Sequence, residues 1–176
     1  NPQLGVAEVE EKLKSLSRAG EEGYRAIYSA APNGGEVKFV FSAPGMISTA
    51  TPDLSHDGRM LLCDAVSKVD GIVESRIFMT ALEGPFRNVV RDLGYGNTPV
   101  WSPDDQRIAF MLNSGNPLAV ASGVWVMNGD GSERKHLGEG IYPQWSPDGQ
   151  KLCVDTGGNL AIHHLKTDER ETVLAE

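Results

Sequence analysis

Positive charge is scarce in this chain. Sixteen Lys and Arg stand against 24 Asp and Glu, giving a net charge of −8 at pH 7 and a pI near 5.0. A surface of that sign repels phosphate backbones and argues against a nucleic-acid partner. Long apolar runs are missing as well. None approaches the roughly 20 residues a membrane helix needs, so no transmembrane segment is expected. A hydrophobic content of 40% still supplies a packed core. Only two cysteines occur, Cys63 and Cys153, with no C-x-x-C between them. Also absent are G-x-S-x-G, H-E-x-x-H and G-x-x-x-x-G-K-[ST]. The sequence therefore predicts no catalytic residue, no metal set and no cofactor. The opening "NPQLGV" has neither an initiator Met nor an apolar signal region and reads as a processed start.

What is present is repetition. "PDLSHDGRMLLC" (52–63), "PVWSPDDQRIAF" (99–110) and "PQWSPDGQKLCV" (143–154) align on their prolines, 47 and 44 residues apart. A period of about 40–45 residues with a tryptophan signature marks four-stranded propeller blades. In the third unit "PVWS" (99–102) predicts a first strand, "RIAFML" (107–112) a second, "GVWVMN" (123–128) a third and "ERKHLG" (133–138) a fourth. Asp-Gly and Asn-Gly pairs supply the positive φ that the hairpins need. The second unit repeats this as "DLS", "RMLLCDAV", "SRIFMTAL" and "FRNVV". The last gives "PQWS", "KLCVD", "NLAIHHL" and "ETVLA".

The first unit offers only a third and fourth strand, at 24–31 and 36–43. Ahead of it, Val6, Val9, Leu13 and Leu16 fall at helical spacing, with favourable Glu8–Lys12 and Glu10–Lys14 pairs. The expected fold is all-β, a propeller of about three and a half four-stranded blades with one N-terminal α-helix. The expected division is an N-terminal segment over 1–22 and blades over 23–176, cut as a half blade 23–48 and blades 49–95, 96–141 and 142–176.

Trp101–Asp104, Val124–Gly131 and Trp145–Gly149 carry a resemblance to the TolB-type β-propeller repeat, over roughly residues 24–176. The second unit departs from it, with Leu54 and His56 in place of Trp and Pro. The resemblance implies a fold rather than a chemistry, and only the resemblance suggests a periplasmic or otherwise exported protein. The repeated phrase reads as scaffold. Pro52, Pro99 and Pro143 suit positions without a ladder donor. Trp101 and Trp145, with Leu54 in the same place, should wedge between blades. Asp104 and Asp148 should accept hydrogen bonds within their turns.

Cys63 and Cys153 replace core residues and read as free, buried thiols, since their strands lie two blades apart and a disulfide needs Cα atoms within about 7 Å. His163 and His164 are neighbours on one strand and point to opposite faces. Asp64 and Asp155 end second strands and read as solvated acids. Candidate binding residues are Tyr95, Asn97, Tyr142 and Gln144, set in or beside connections expected at 66–75, 92–98, 112–122 and 138–142. The predicted function is a non-catalytic scaffold for a protein or peptide partner. The alternative is the propeller portion of a larger enzyme, of prolyl-oligopeptidase or polysaccharide-lyase type, whose catalytic parts lie outside this chain. The open first half-blade also invites self-association.

Overall fold

A computed structural model describes residues 26–32, 36–69 and 72–173. The helix expected over 6–19 lies outside the described residues. Among these, fourteen strands form four antiparallel sheets. The first is a two-stranded ribbon of β1 (Ile27–Ala30) and β2 (Val37–Phe41). The second sheet is β3 (Ser48–Leu54), β4 (Met60–Val69), β5 (Ile72–Ala81) and β6 (Val90–Tyr95). The third is β7 (Asn97–Trp101), β8 (Arg107–Leu112), β9 (Gly123–Asn128) and β10 (Lys135–Gly138). The fourth is β11 (Ile141–Trp145), β12 (Lys151–Asp155), β13 (Leu160–His164) and β14 (Glu169–Val173). In each complete sheet the strands lie side by side in chain order, which is the meander of a propeller blade.

Period-2 alternation decides which side chain faces which neighbour. On β4, Leu61, Cys63 and Ala65 point back to Ile27 and Phe41 of the half-blade, while Leu62 points forward. On β8, Ile108, Phe110 and Leu112 meet Leu62, Ile77 and Met79, and Ala109 points forward. On β12, Leu152 and Val154 meet Ala109, Val124 and Val126. The core is thus three apolar layers, each between two sheets. A fully buried ring such as Phe110 contributes about 2–3 kcal/mol to its layer.

The same register places Cys153 on the forward face of the last sheet. It is half-buried rather than fully buried, because no described sheet covers that face. Cys63, inside a layer, is buried as expected, and both thiols are free.

Three of the four expected connections are not loops. β4 and β5 run to Val69 and from Ile72, so 66–75 is mostly hairpin; Ser67 and Glu74 pair across it. β6 reaches Tyr95 and β7 starts at Asn97, while β10 ends at Gly138 and β11 starts at Ile141. The reason is a repeated Gly-x-Gly. Gly96 (φ 153) and Gly140 (φ 144) let the chain pass directly from one blade's outer edge to the next blade's inner edge. A Cβ on Gly96 would lie 2.6 Å from Ile77 Cδ1 and 2.7 Å from Phe110 Cδ2. Only 112–122 remains a long connection. The fourth strand expected at 86–90 lies later, at β6, because the turn residues Gly84 (φ 79) and Asn88 (φ 63) hold 82–89 out of the ladder.

Candidate functional site

The repeated phrase builds one hydrogen-bond network three times. The Ser102 hydroxyl donates to Asp104 Oδ1 at 2.5 Å and accepts from the Arg107 N–H at 2.9 Å, and Asp104 Oδ1 accepts from the Gln106 N–H at 3.2 Å. Ser146, Asp148, Gln150 and Lys151 repeat this at 2.6, 3.0 and 2.9 Å. Ser55, Asp57, Arg59 and Met60 repeat it at 2.7, 2.9 and 2.9 Å. The serine hydroxyl holds each aspartate's carboxyl below its ordinary range. Each serine hydroxyl is engaged within its own turn, and the His56 ring that follows Ser55 is paired with Asp105 instead, at 3.1 Å.

The turns are also tied to one another. Asp105 of the third sheet accepts from the His56 backbone N–H at 3.0 Å, and Arg107 donates to the Gly149 carbonyl at 2.7 Å. Asp53 accepts from the Trp101 backbone N–H at 2.6 Å; burial nevertheless pushes its carboxyl up. Trp101 is only 6% exposed. Trp145 packs on the third layer, donates from Nε1 to the Val100 carbonyl at 3.2 Å and lies under the Arg107 guanidinium. Leu54 differs from the expectation. It is 52% exposed and lines an open cleft of about 490 Å³, because the half-blade presents no described inner strands to cover it. Pro52 lines the same cleft and is exposed for the same reason, whereas Pro99 and Pro143 are fully buried. The three prolines each follow a residue of positive φ, Thr51, Thr98 or Tyr142, at a register break in the inner strand.

A second repeated device has no counterpart in the sequence reading. Arg134 donates to the carbonyls of Leu93 and Tyr95 (2.8 Å to Tyr95), and Arg170 donates to the Glu139 carbonyl at 2.6 Å. Each arginine lies against a glycine of the preceding blade, Gly94 or Gly138, at a point where a Cβ would crowd it. His163 sits beside Gly138, 5% exposed, with no partner for Nε2 among the described residues. Burial, with the nearby Arg170, lowers its pKa below the ordinary histidine value. His164, on the other face, pairs with Glu171 at 3.0 Å. Asp64 is buried rather than solvated and is bonded by the Thr51 and Ser75 hydroxyls. Asp155 accepts from the Gly157 N–H at 2.7 Å.

The four candidate binding residues do not share one pocket. Tyr95 and Asn97 line a small cavity of about 60 Å³ at the crossing from the second sheet to the third. Tyr142 and Gln144 lie one blade further, on β11, outside it; Tyr142 is 60% exposed. The large concavities are on the opposite end of the sheets, at the turns. A cleft of about 640 Å³ runs between the β3–β4 turn and the 82–89 loop, floored by Met60 and Met79 and rimmed by Arg59, Phe86, Val89 and Arg91. A second, of about 650 Å³, shares Met60, Met79 and Arg91 and continues to Trp101, Gln106 and Gly129. Phe86 is 70% exposed. Arg59 is engaged by Glu83 at 3.3 Å, while the Arg91 guanidinium donates only to the Asp130 carbonyl, at 3.2 Å, among the described residues. The sequence signal for this groove was Phe86 itself, an aromatic in a Gly-Pro loop. Among the described residues no three His, Cys, Asp or Glu side chains gather as a metal-ligand set.

No protein-family model and no curated protein matches the chain. Solved structures do. An oligogalacturonate lyase in complex with manganese is 16% identical, with a TM-score of 0.63 over 87% of this chain and 48% of that one. A protein assigned as TolB from Agrobacterium tumefaciens is 20% identical, with a TM-score of 0.63 over 86% of this chain and 57% of that one. The β-propeller domain of the Trilobed protease from Pyrococcus furiosus, described as having an open velcro topology, is 22% identical, with a TM-score of 0.56 over 71% of this chain and 41% of that one. At these identities the likeness is one of fold, and the fold is that of TolB-type β-propellers. The chain spans about half the length of the solved propellers it matches.

Proposed function

We propose that this chain is a non-catalytic propeller scaffold that binds a protein partner through an extended peptide carrying an apolar anchor and a carboxylate. The observation that supports this reading is the turn-side groove. It combines a methionine floor, which adapts to apolar side chains, with an exposed Phe86 and the available guanidinium of Arg91 on a chain whose net charge is −8. An arginine matches a carboxylate in a planar, two-bond geometry, and an aromatic beside it supplies the buried area that anchors an interface.

Selection of displayed random peptides against the chain tests this. Enriched peptides should combine aromatic or aliphatic residues with Asp or Glu. Phe86→Ala and Arg91→Glu should each weaken a selected peptide by roughly 10-fold or more, with thermal unfolding used to show that the variants remain folded. Peptides that bind both variants as well as the parent would refute the reading.

A second reading, the propeller portion of a larger enzyme, draws support from the names of two of the fold neighbours, a lyase and a protease domain. It predicts that a longer polypeptide containing the chain turns over substrates that the isolated chain leaves intact. Turnover by the isolated chain would contradict both readings.

A further inference from the structure

The turns of the second and third sheets depart from the repeat together. In the three turns of the phrase the second position is His56, Pro103 or Pro147, and the fourth is Gly58, Asp105 or Gly149. The fourth position has φ of 73°, 56° and 65° in turn, so Asp105 stands in a left-handed conformation that the other two turns give to glycine. Between the third and fourth sheets these two positions meet without charge: a Cβ on Gly149 would lie 3.6 Å from Pro103 Cδ. Between the second and third sheets they meet as Asp105 and His56. The His56 N–H donates to Asp105 Oδ1 at 3.0 Å and Oδ2 at 3.1 Å, and the ring Nδ1 stands 3.1 Å from Oδ1. A proline at this place has no N–H to give. The two departures therefore serve one contact.

That contact adjoins the turn-side groove. Asp105 and Arg91 both line its second cleft, whereas His56 lines neither cleft. The acids lining the two clefts are Glu83, Asp105 and Asp130, and each is held. Arg59 holds Glu83 at 3.3 Å, the Ser132 N–H and hydroxyl hold Asp130 at 2.9 and 2.6 Å, and His56 holds Asp105. Arg107 is engaged by the Gly149 carbonyl and the face of Trp145. Arg91 keeps one bond among the described residues, to the Asp130 carbonyl. We propose that His56 is a positioning residue for the groove: it restrains the Asp105 carboxylate on its turn and so leaves Arg91 to a carboxylate of the bound peptide. This role rests on the peptide reading of the groove given above. Released from His56, the Asp105 carboxylate competes for Arg91 from within the same cleft. An entering carboxylate then meets an unpaired like charge, which acts on specificity more than on apolar contact.

The experiment titrates the whole chain by calorimetry with two probes, a display-selected peptide carrying one Glu and the same peptide with Gln in its place. The parent should prefer the carboxylate peptide by about 10-fold. His56→Pro, the residue the other two turns carry, should cut that preference to about 2-fold or less. His56→Ala keeps the N–H and loses only the ring, so its preference should fall between the two. The double variant His56→Pro with Asp105→Gly rebuilds the pair found at the next junction and removes the rival carboxylate. It should restore the preference to within about 2-fold of the parent. A residue that only held two blades together would weaken both peptides alike and leave the ratio unchanged. Thermal unfolding shows which variants are folded. An unchanged ratio in His56→Pro and His56→Ala, or a double variant as indifferent as His56→Pro, would overturn the proposal; the groove reading would survive if Phe86→Ala still weakened both peptides. A parent chain that binds both peptides equally would overturn the proposal and the carboxylate part of the groove reading together.

Discussion

Trp101→Ala is the perturbation that separates the layered packing from its alternatives, because the same repeat position exists in an exposed setting in the preceding blade. Trp101 is 6% exposed within the layer that contains Leu62, Ile77, Met79 and Phe110. An indole buried to that degree removes on the order of 200 Å² from water, about 5 kcal/mol at 25 cal/mol per Å². Core aromatic-to-alanine changes cost about 3–5 kcal/mol. The expected loss is therefore about 4 kcal/mol. The backbone bond from Trp101 N–H to Asp53 survives the change, so the loss reports the ring. Leu54 occupies the equivalent place in the preceding blade but is half exposed, so Leu54→Ala should cost about 1 kcal/mol or less. Equilibrium urea unfolding followed by far-ultraviolet circular dichroism measures both. If the two variants lost equal stability, or if Trp101→Ala stayed within error of the parent, the face-to-face stacking of the second and third sheets would be refuted.

Gly96→Ala should cost about 2 kcal/mol or more, from positive φ and the crowding of Ile77 and Phe110, while Gly84→Ala, with open space around it, should cost about 1 kcal/mol; thermal melts of the pair check this. The Cys63 thiol is pushed up to about 12 by burial, so iodoacetamide at pH 8 should label Cys153 well before Cys63, as read by mass spectrometry of the native protein. For His163 the folded pKa lies below 6.5, so the unfolded chain takes up the proton first and stability falls as pH drops below about 6.5. His163→Gln should flatten stability between pH 5 and about 7 relative to the parent; an unchanged profile would remove His163 from the cause.

Strand content was legible wherever alternation and turn chemistry agreed. β8, β9 and β12 fall on the stretches 107–112, 123–128 and 151–155 because each is a β-branched or aromatic run closed by a Ser-Asp or Gly-containing turn. The connections were less legible. Gly94, Gly96, Gly138 and Gly140 suggest loops, yet they serve close approach: two accept arginines of the next blade and two let the backbone cross against Ile77, Phe110 and Val154. Burial at Pro52, Leu54 and Cys153 was not legible at all, since it depends on what covers the neighbouring face rather than on their own strands. The groove and the small cavity share that property. Met60, Met79 and Arg91 meet only because β4, β5 and β6 are paired, and Tyr95, Asn97 and Asn116 line one cavity only at the crossing between sheets.

Hydrogen–deuterium exchange of the chain with and without a saturating display-selected peptide tests the binding account most directly. The account predicts slowed exchange over the β3–β4 turn and the 82–89 loop, around Met60, Phe86, Val89 and Arg91, with the 95–98 and 141–144 stretches unchanged. Slowing confined to 95–98 and 141–144, with the 82–89 loop exchanging as in the free chain, would contradict it and place binding at the opposite end of the blades.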